Sequence, residues 1–225
     1  MRRGPTGRWR TSESAQDMEP LTREAVSARL GAKGMPVRVD EATALAAYLN
    51  LLEQWNRVHN LTGIRDRAEL VNRHLVESLA LKPFVRGPEA ADVGSGGGLP
   101  GMPLAICLPD IAFTLIESRR KRASFLRHVA AELALENVEV AHARAEQVTT
   151  GPFDTVLARA VAPPAELLAV TRPLVAPGGR LVLLTGEVKG RDIVRLAEGF
   201  RELDVDPPAG DLESRIVVLI SETVS

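Results

Sequence analysis

The stretch that decides the fold is "ADVGSGGGLPGMPLA", residues 90–104. A short apolar and acidic run leads into a loop with five glycines: Gly94, Gly96, Gly97, Gly98 and Gly101. Glycine allows positive φ and a close approach of the backbone to a ligand, but it weakens a loop that holds nothing. The stretch therefore predicts a strand, a loop that binds a nucleotide-like ligand, and a helix after it.

Two of the three candidate ligands fit this loop poorly. A triphosphate-binding P-loop requires Gly-Lys-Ser/Thr after the glycines, whereas this chain continues with Leu99-Pro100. A dinucleotide motif, Gly-x-Gly-x-x-Gly, fits only when it is counted from Gly96. That match begins two residues late and places Pro100 inside the turn, so it is weak.

S-adenosylmethionine fits the loop better. The spacing Asp92-x-Gly94-x-Gly96-x-Gly98 at the end of a strand is similar to the first motif of class I methyltransferases. An acidic residue at the end of the next strand would hold the ribose hydroxyls, and Glu117 occupies that place. Dehydrogenases use an acid at the same place, so Glu117 alone does not separate the two classes.

Strand and helix patterns alternate after the glycine loop. We predict strands at residues 90–93, 112–117, 138–143, 154–160 and 179–185, and helices at 100–108, 119–135, 164–173 and 190–200. This alternation indicates an α/β fold with a mostly parallel, twisted, Rossmann-like sheet and helices on both faces. The stretch "SRIVVLI" at 214–220 has no helix after it and predicts an antiparallel strand.

The chain before the sheet has a helical pattern. An apolar stripe with helical spacing follows Asp40, which is a candidate N-cap, and consists of Leu45, Tyr48, Leu49, Leu52 and Trp55. A second helix is expected to begin near Asp66 and to carry Val71, Leu75 and Leu79. Residues 1–20 are expected to be a disordered tail, and residues 21–84 a helical cap.

Composition limits the class of protein. The 225 residues are 45% hydrophobic, and no apolar run approaches the ~20 residues of a membrane span. The start "MRRGPTGRWRTSESAQ" lacks the apolar core of a signal peptide. A single Cys107 excludes an internal disulfide, and the chain lacks the clustered Cys and His of a zinc site. We expect a cytoplasmic protein without a metal; its net charge of -1 does not by itself indicate a nucleic-acid binder.

Several blocks carry a narrower resemblance: "EQWNRVHNLTGIRDRAELVNRHLVESLAL" (53–81), "ADVGSGGGLPGMPLAICLPD" (90–110), "ESRRKRASFL" (117–126), "ARAEQV" (143–148), "FDTVLARAVAP" (153–163) and "APGGRLVLL" (176–184). In this order they resemble the glucose-inhibited division protein B family, the bacterial 16S ribosomal RNA guanine-N7 methyltransferases. The resemblance covers roughly residues 45–186.

The resemblance implies a fold, an activity and a substrate. It implies a class I S-adenosylmethionine methyltransferase fold with a helical N-terminal cap, the methyltransferase domain spanning residues 85–225. It implies transfer of a methyl group from S-adenosyl-L-methionine to N7 of a guanine in 16S rRNA, either as naked RNA or within the small ribosomal subunit. We expect a monomer.

The resemblance also implies which residues hold the cofactor. They follow the first four strands and are Gly94, Gly96, Leu99, Glu117, Ala145, Glu146 and Arg159. Glu117 would take the ribose, and Ala145 and Glu146 would flank the adenine. Arg159 would face the reacting end.

The implied chemistry requires no general base. Guanine N7 has a free lone pair in the base plane and loses no proton on methylation, so placement of the base is the main demand on the protein. Candidate residues of the substrate pocket are Asn60, His74 and Arg144. Each has a structural alternative: Asn60 as the cap of a turn, His74 as a core histidine, and Arg144 as a surface residue at a strand end.

A basic run follows the second strand and consists of Arg119, Arg120, Lys121 and Arg122, with Arg127 and His128 shortly after it. Such a cluster suits contacts with RNA phosphates, although a solvated helix face is equally compatible with the pattern.

One position departs from the family pattern. The family usually has a lysine before the glycine that follows the fifth strand, and this chain has Thr185 there. The difference affects the expected positioning of the RNA more than cofactor binding. Two other functions stay open on the residues: a non-catalytic ribosome-assembly factor, which Thr185 mildly favours, and an NAD-dependent oxidoreductase that uses the Gly96 register.

Overall fold

A computed structural model describes residues 20–59, 61, 69–159, 162–206 and 212–222. Within these ranges the helices are α1 (Arg23–Ala32), α2 (Val39–His59), α3 (π-helical over Leu70–Val76, α-helical over Glu77–Leu79), α4 (Gly101–Cys107), α5 (Arg120–Glu132), α6 (Pro164–Thr171) and α7 (Glu187–Leu196). The strands are β1 (Glu89–Val93), β2 (Ala112–Ile116), β3 (Val138–Ala141), β4 (Phe153–Arg159), β5 (Val175–Thr185), β6 (Phe200–Leu203) and β7 (Arg215–Ser221). Short 3-10 helices cover Lys82–Phe84, Ala145–Gln147 and Arg172–Leu174.

The strands form one sheet in the order β3-β2-β1-β4-β5-β7-β6. The pairs from β3 to β5 are parallel, whereas β7 runs antiparallel to both of its neighbours. The chain order reverses between β1 and β4, with Asp92 of β1 paired to Leu115 on one side and Leu157 on the other. Open α/β sheets bind ligands outside the carboxyl ends of the strands at such a reversal, which places the candidate site.

The predicted strands agree with the sheet. All five parallel strands form within a few residues of the predicted bounds, and the antiparallel strand predicted at 214–220 is β7. The helix predicted at 190–200 is wrong at its end, because α7 stops at Leu196. Gly199 then adopts φ +74° and the chain enters β6, an edge strand that was not predicted. β6 is only partly buried and lacks a clear apolar alternation, so its sequence gives little signal.

Four residues of the predicted stripe on α2 are fully buried, namely Leu45, Tyr48, Leu49 and Leu52 at 0% exposure, whereas Trp55 is half-buried. The helix begins at Val39, so Asp40 lies in its first turn instead of capping it. Instead, Glu41 Oε2 accepts the backbone N–H of Arg38 at 2.7 Å, immediately before the start of this helix.

The described part of α3 buries Val71, Leu75 and Leu79, as predicted. The predicted start of this helix near Asp66 and the predicted disordered tail before residue 20 lie outside the described residues. The described helices α1 to α3 share one hydrophobic core with α4 and α5, in which Leu52 and Leu75 join Met102 and Leu126. Of the helices described, none is long and apolar enough to cross a membrane.

Candidate active site

The glycine loop begins where β1 ends and is tied to the end of β2. The backbone N–H groups of Gly94 and Ser95 both donate to the carbonyl of Ile116, at 2.9 and 3.1 Å. Gly94 has φ +72°, and a Cβ built on it would meet no heavy atom within 4 Å. The loop is therefore open on this side, where a ligand can lie directly against the backbone.

Other glycines of the loop are required by packing. A Cβ on Gly101 would lie 2.4 Å from Leu115 Cδ2, and one on Gly98 would lie 2.7 Å from Met102 Cγ. These positions let α4 and the loop pack closely against the sheet, which is a structural use of glycine.

The helix α2 supports the loop from behind. The buried Tyr48 hydroxyl donates to the Gly97 carbonyl at 2.7 Å. A Cβ on Gly97 would lie 3.1 Å from Leu52 Cδ1, so the same helix also sets the space behind this residue. The N-terminal helices therefore help to shape the loop.

Asp92 lies buried under the loop at the end of β1. Its Oδ2 accepts the Gly101 backbone N–H at 3.1 Å, whereas its buried Oδ1 has no hydrogen-bond partner within the part of the chain that the structure describes. Burial raises the pKa of Asp92 to about 7, against the smaller lowering effect of the Gly101 N–H. The side chain therefore holds its proton far above the pH at which an exposed aspartate loses it.

Glu117 follows β2 and connects the loop to α5. Its Oε2 accepts the Gly96 backbone N–H at 2.9 Å, and its Oε1 accepts the Arg119 backbone N–H at 2.7 Å. The side chain is buried, and a carboxylate has about four acceptor sites, so both oxygens keep capacity for a further donor.

Arg159 ends β4 and belongs to a polar network with α3 and the segment before β7. Its Nη2 donates to Oε2 of the buried Glu77, and the Ser214 hydroxyl donates to the other Glu77 oxygen at 2.8 Å. Arg159 Nη1 lies 3.4 Å from His74 Nδ1, which accepts because a guanidinium only donates. Burial, together with the charges of Arg159 and Arg73, lowers the pKa of His74 to about 3, so this histidine is neutral.

The remaining predicted cofactor and pocket residues lie in the glycine loop, at the 3-10 turn after β3, or outside the described residues. Leu99 is buried within the loop, and Ala145 is half-buried in the 3-10 turn after β3. Glu146 and Arg144 are exposed beside this turn, and the Arg144 backbone N–H lies 3.4 Å from Gln147 Oε1. Asn60 lies outside the described residues.

The predicted basic run is at the amino end of α5. Arg119, Arg120 and Lys121 are exposed, and no acidic residue lies in the first turn of α5. Arg122 is half-buried, with Nη1 only 3.8 Å from the Cβ position of Gly96. His128, further along α5, packs against Trp55 with ring centroids 5.5 Å apart, so it belongs to the helix packing.

The family is decided by sequence comparison. The GidB family model, described as rRNA small subunit methyltransferase G, matches residues 41–205. A protein named ribosomal RNA small subunit methyltransferase G from Leptothrix cholodnii is 40% identical, covering 92% of this chain and 99% of its own length. One of the same name from Xanthomonas campestris is 42% identical over 86% and 94%. This chain belongs to the rRNA small subunit methyltransferase G family. The predicted resemblance is thereby confirmed.

Solved structures agree on the fold of this family member. Cofactor-bound Rv0187 from MTB matches with a TM-score of 0.60 at 16% identity, over 93% of this chain and 100% of that one. A point mutant of MtNAS in complex with S-adenosylmethionine matches with a TM-score of 0.55 at 19% identity, over 91% and 86%. Together with the strand order, this likeness confirms the predicted class I methyltransferase fold.

Thr185, the position at which the resemblance leads us to expect a lysine, lies at the end of β5. The side chain is buried at the end of β5, opposite Arg215 of β7. Arg215 forms ion pairs with Glu187 and Glu202, at 3.1 and 3.0 Å. The charge of the neighbouring Arg215 is therefore already balanced by two carboxylates.

Sequence reasoning missed three residues of this site: Tyr48, Glu77 and Ser214. Tyr48 was assigned only to the apolar stripe. Glu77 follows His74 by three residues, a spacing that places both on one helix face, and this was the available signal. Ser214 gave no signal, because its partner is 137 positions away in the chain.

Proposed function

We propose that this protein transfers a methyl group from S-adenosylmethionine to N7 of a guanine in 16S rRNA. Membership of the rRNA small subunit methyltransferase G family makes it a methyltransferase that acts on small-subunit rRNA with this methyl donor. The choice of guanine N7 rests on the resemblance drawn from the sequence blocks. One structural observation supports the methyl donor in this proposal: the glycine loop is open at Gly94 and backed by Glu117, at the point where the strand order reverses.

The residues around the loop fit S-adenosylmethionine. A Cβ at Gly94 would fill open space beside the backbone, which is the kind of cradle that a ligand occupies. Glu117 can accept ribose hydroxyls through its remaining lone pairs. We assign Gly94, Gly96 and Leu99 to the same ligand. When bound, S-adenosylmethionine supplies a methyl group activated by a sulfonium.

The adenine would lie beside the 3-10 turn after β3. Ala145 is half-buried there and packs against the core around β4 and β5, so it offers an apolar contact. Glu146 is exposed at the same turn and has carboxylate oxygens that can accept from the exocyclic amine. We propose that this turn forms the adenine end of the pocket.

Arg159 would lie at the opposite end, beside the reacting groups. Its guanidinium is held by Glu77 and His74, so its orientation is fixed before a ligand binds. Methylation of N7 releases no proton from the base, and the neutral His74 is not required as a base. We infer that these side chains orient the guanine and exclude water.

RNA phosphates would bind at the exposed start of α5. Arginine and lysine side chains there lie beside the glycine loop, and Arg122 links the two surfaces. We keep Asn60 and Arg144 as candidate contacts to the target nucleotide. We also propose that the protein works as a cytoplasmic monomer, in which residues 21–84 cap a methyltransferase domain of residues 85–225.

Methyl transfer to small ribosomal subunits tests the activity. Purified protein would be incubated with S-adenosylmethionine labelled in the methyl group and with subunits from a strain that lacks this gene. We expect label in the RNA, and no label when Gly94→Asp replaces the wild-type protein. Cofactor binding without transfer to subunits or naked RNA would instead support a ribosome-assembly factor, and binding of NAD alone would support an oxidoreductase.

A further inference from the structure

The charge of Arg159 is matched by a side chain that sequence reasoning did not single out. Glu77 is 2% exposed and Arg159 is 26% exposed, so the pair lies at the boundary between the core and the open site. Glu77 uses one oxygen for Arg159 and the other for the Ser214 hydroxyl, at 2.8 Å. The carboxylate is therefore fixed from two sides, by residues of β4 and of the segment before β7.

The network as a whole carries no net charge. The Arg159 guanidinium is paired with Glu77, and His74 stays neutral because burial lowers its pKa to about 3. A second cation in this network is thereby avoided. The contacts to Glu77 and His74 use only some of the five guanidinium donors of Arg159, whose side chain is 26% exposed.

Net charge matters at a site that handles a sulfonium. The methyl donor carries a positive charge on sulfur, and its thioether product, S-adenosylhomocysteine, has lost that charge. An unmatched arginine beside the reacting end would repel the donor and leave the product unaffected. An arginine whose charge is balanced by a carboxylate would bind polar groups of both the donor and the product without repelling the donor.

We propose that Glu77 is a positioning residue that neutralises and orients Arg159, and thereby lets the site accept the cationic methyl donor as readily as its uncharged product. This inference rests on the proposed function, because it takes S-adenosylmethionine as the ligand. It adds to that function a determinant of ligand preference that lies outside the glycine loop.

The ratio of two dissociation constants tests the proposal. Isothermal titration of the purified full chain would measure the Kd of S-adenosylmethionine and of S-adenosylhomocysteine. For Glu77→Gln we expect the donor-to-product Kd ratio to rise about tenfold, since a like charge is exposed to the sulfonium at an effective dielectric constant of about 20. A loss of structure alone would weaken both ligands together and leave the ratio unchanged.

Two further variants separate charge from geometry. Ser214→Ala removes a hydrogen bond to Glu77 but keeps the ion pair, so we expect a ratio within about twofold of wild type. Glu77→Asp keeps the charge with a shorter side chain, and we expect the ratio to be largely restored even if both affinities fall.

Removing the positive charge of Arg159 instead provides an independent test in case Glu77→Gln does not fold. Arg159→Gln leaves Glu77 as the unmatched charge, so the Kd ratio should shift in the opposite direction, in favour of the donor. The double variant Glu77→Gln with Arg159→Gln should return the ratio towards wild type.

Unchanged ratios in Glu77→Gln and in Arg159→Gln would overturn the proposal while leaving the proposed function intact. Failure of the wild-type protein to bind either ligand would overturn the proposed function, and this inference with it. Thermal unfolding of each variant, measured alongside, identifies those that fold.

Discussion

Single residues of the glycine loop have different reasons for being glycine. Gly94 faces open space, whereas Gly98 and Gly101 are pressed against Met102 and Leu115. The sequence predicted a ligand loop from all five glycines together, because their spacing alone carries that signal. It did not separate the ligand-facing positions from the packed ones, since that distinction depends on neighbours from α4 and β2.

Gly94→Asp should abolish binding of S-adenosylmethionine. The new side chain fills the open space beside the loop and adds a negative charge next to Glu117, and it also meets the strain of φ +72°. Titration of the cofactor measures the loss. Gly178→Asp is the matched control, because Gly178 has φ +74° and open space but lies near the amino end of β5. Equal loss of cofactor binding in both variants would show that backbone strain, and not the filled space beside Gly94, causes the loss.

At the scale of elements, α5 begins with cations where a helix normally favours acids. Arg119, Arg120 and Lys121 are exposed at this end, which carries the positive end of the helix dipole. The arrangement costs the helix some stability and so favours a role in anion binding. From the sequence, a solvated face and a phosphate-binding face looked alike, because both produce a run of charged residues at the start of an exposed helix.

Replacing Arg119, Arg120 and Arg122 by Gln should weaken RNA binding and flatten its salt dependence. Each lost phosphate contact lowers the slope of log K against log salt by about 0.7–0.9. Binding to rRNA fragments at several salt concentrations measures this. The control variant carries Gln at three exposed arginines outside α5: Arg191, Arg195 and Arg201. An unaltered salt slope in the α5 variant would indicate that these arginines form an ordinary solvated surface and do not contact RNA phosphates.

The contact between α2 and the glycine loop provides a second test at this scale. Tyr48→Phe leaves the Gly97 carbonyl without its buried donor and should lower the free energy of unfolding by about 1–3 kcal/mol. We also expect weaker cofactor binding, because the loop loses its support. Urea unfolding and titration measure the two effects, with Val58→Ala on the exposed side of α2 as control. A destabilised variant with unchanged affinity would show that α2 does not shape the loop.

For the whole molecule, the sequence predicted the sheet but not the links across it. The alternation of strand and helix patterns predicted the parallel strands of the sheet, because each element has its own hydrophobic periodicity in the sequence. The network of Glu77, Arg159 and Ser214 joins three segments distant in the chain, and no local pattern reports such a meeting. The division into residues 21–84 and 85–225 stays a prediction, since helices on both sides of it share one core.

Two buried groups give the stability of the whole chain an unusual pH dependence. The pKa of Asp92 is raised to about 7, so between roughly pH 4 and 7 the folded chain keeps a proton that the unfolded chain has lost, and stability falls as pH rises. The pKa of His74 is lowered to about 3, so from about pH 3 to 6.5 stability rises with pH. Each contributes a slope of about 1.4 kcal/mol per pH unit, and the two oppose each other.

Asp92→Asn should therefore remove the fall of stability with rising pH that Asp92 causes and leave the rise that His74 causes. The free energy of unfolding of the variant, relative to wild type, should rise steadily between about pH 4 and 7, because the variant lacks the Asp92 contribution that lowers the stability of the wild-type protein as pH rises. Urea unfolding of the ligand-free protein across this range measures the difference. If the free energies of unfolding of the two proteins change in parallel with pH, the assignment of a raised pKa to Asp92 is contradicted.

The central claim is tested most directly by locating the methyl group on the RNA. Small ribosomal subunits from a strain lacking this gene would be treated with the protein and S-adenosylmethionine, and the 16S rRNA would then be cleaved chemically at 7-methylguanosine. We predict cleavage at a single guanine, dependent on both protein and methyl donor. Methyl transfer without any cleavage at 7-methylguanosine would contradict N7 as the acceptor.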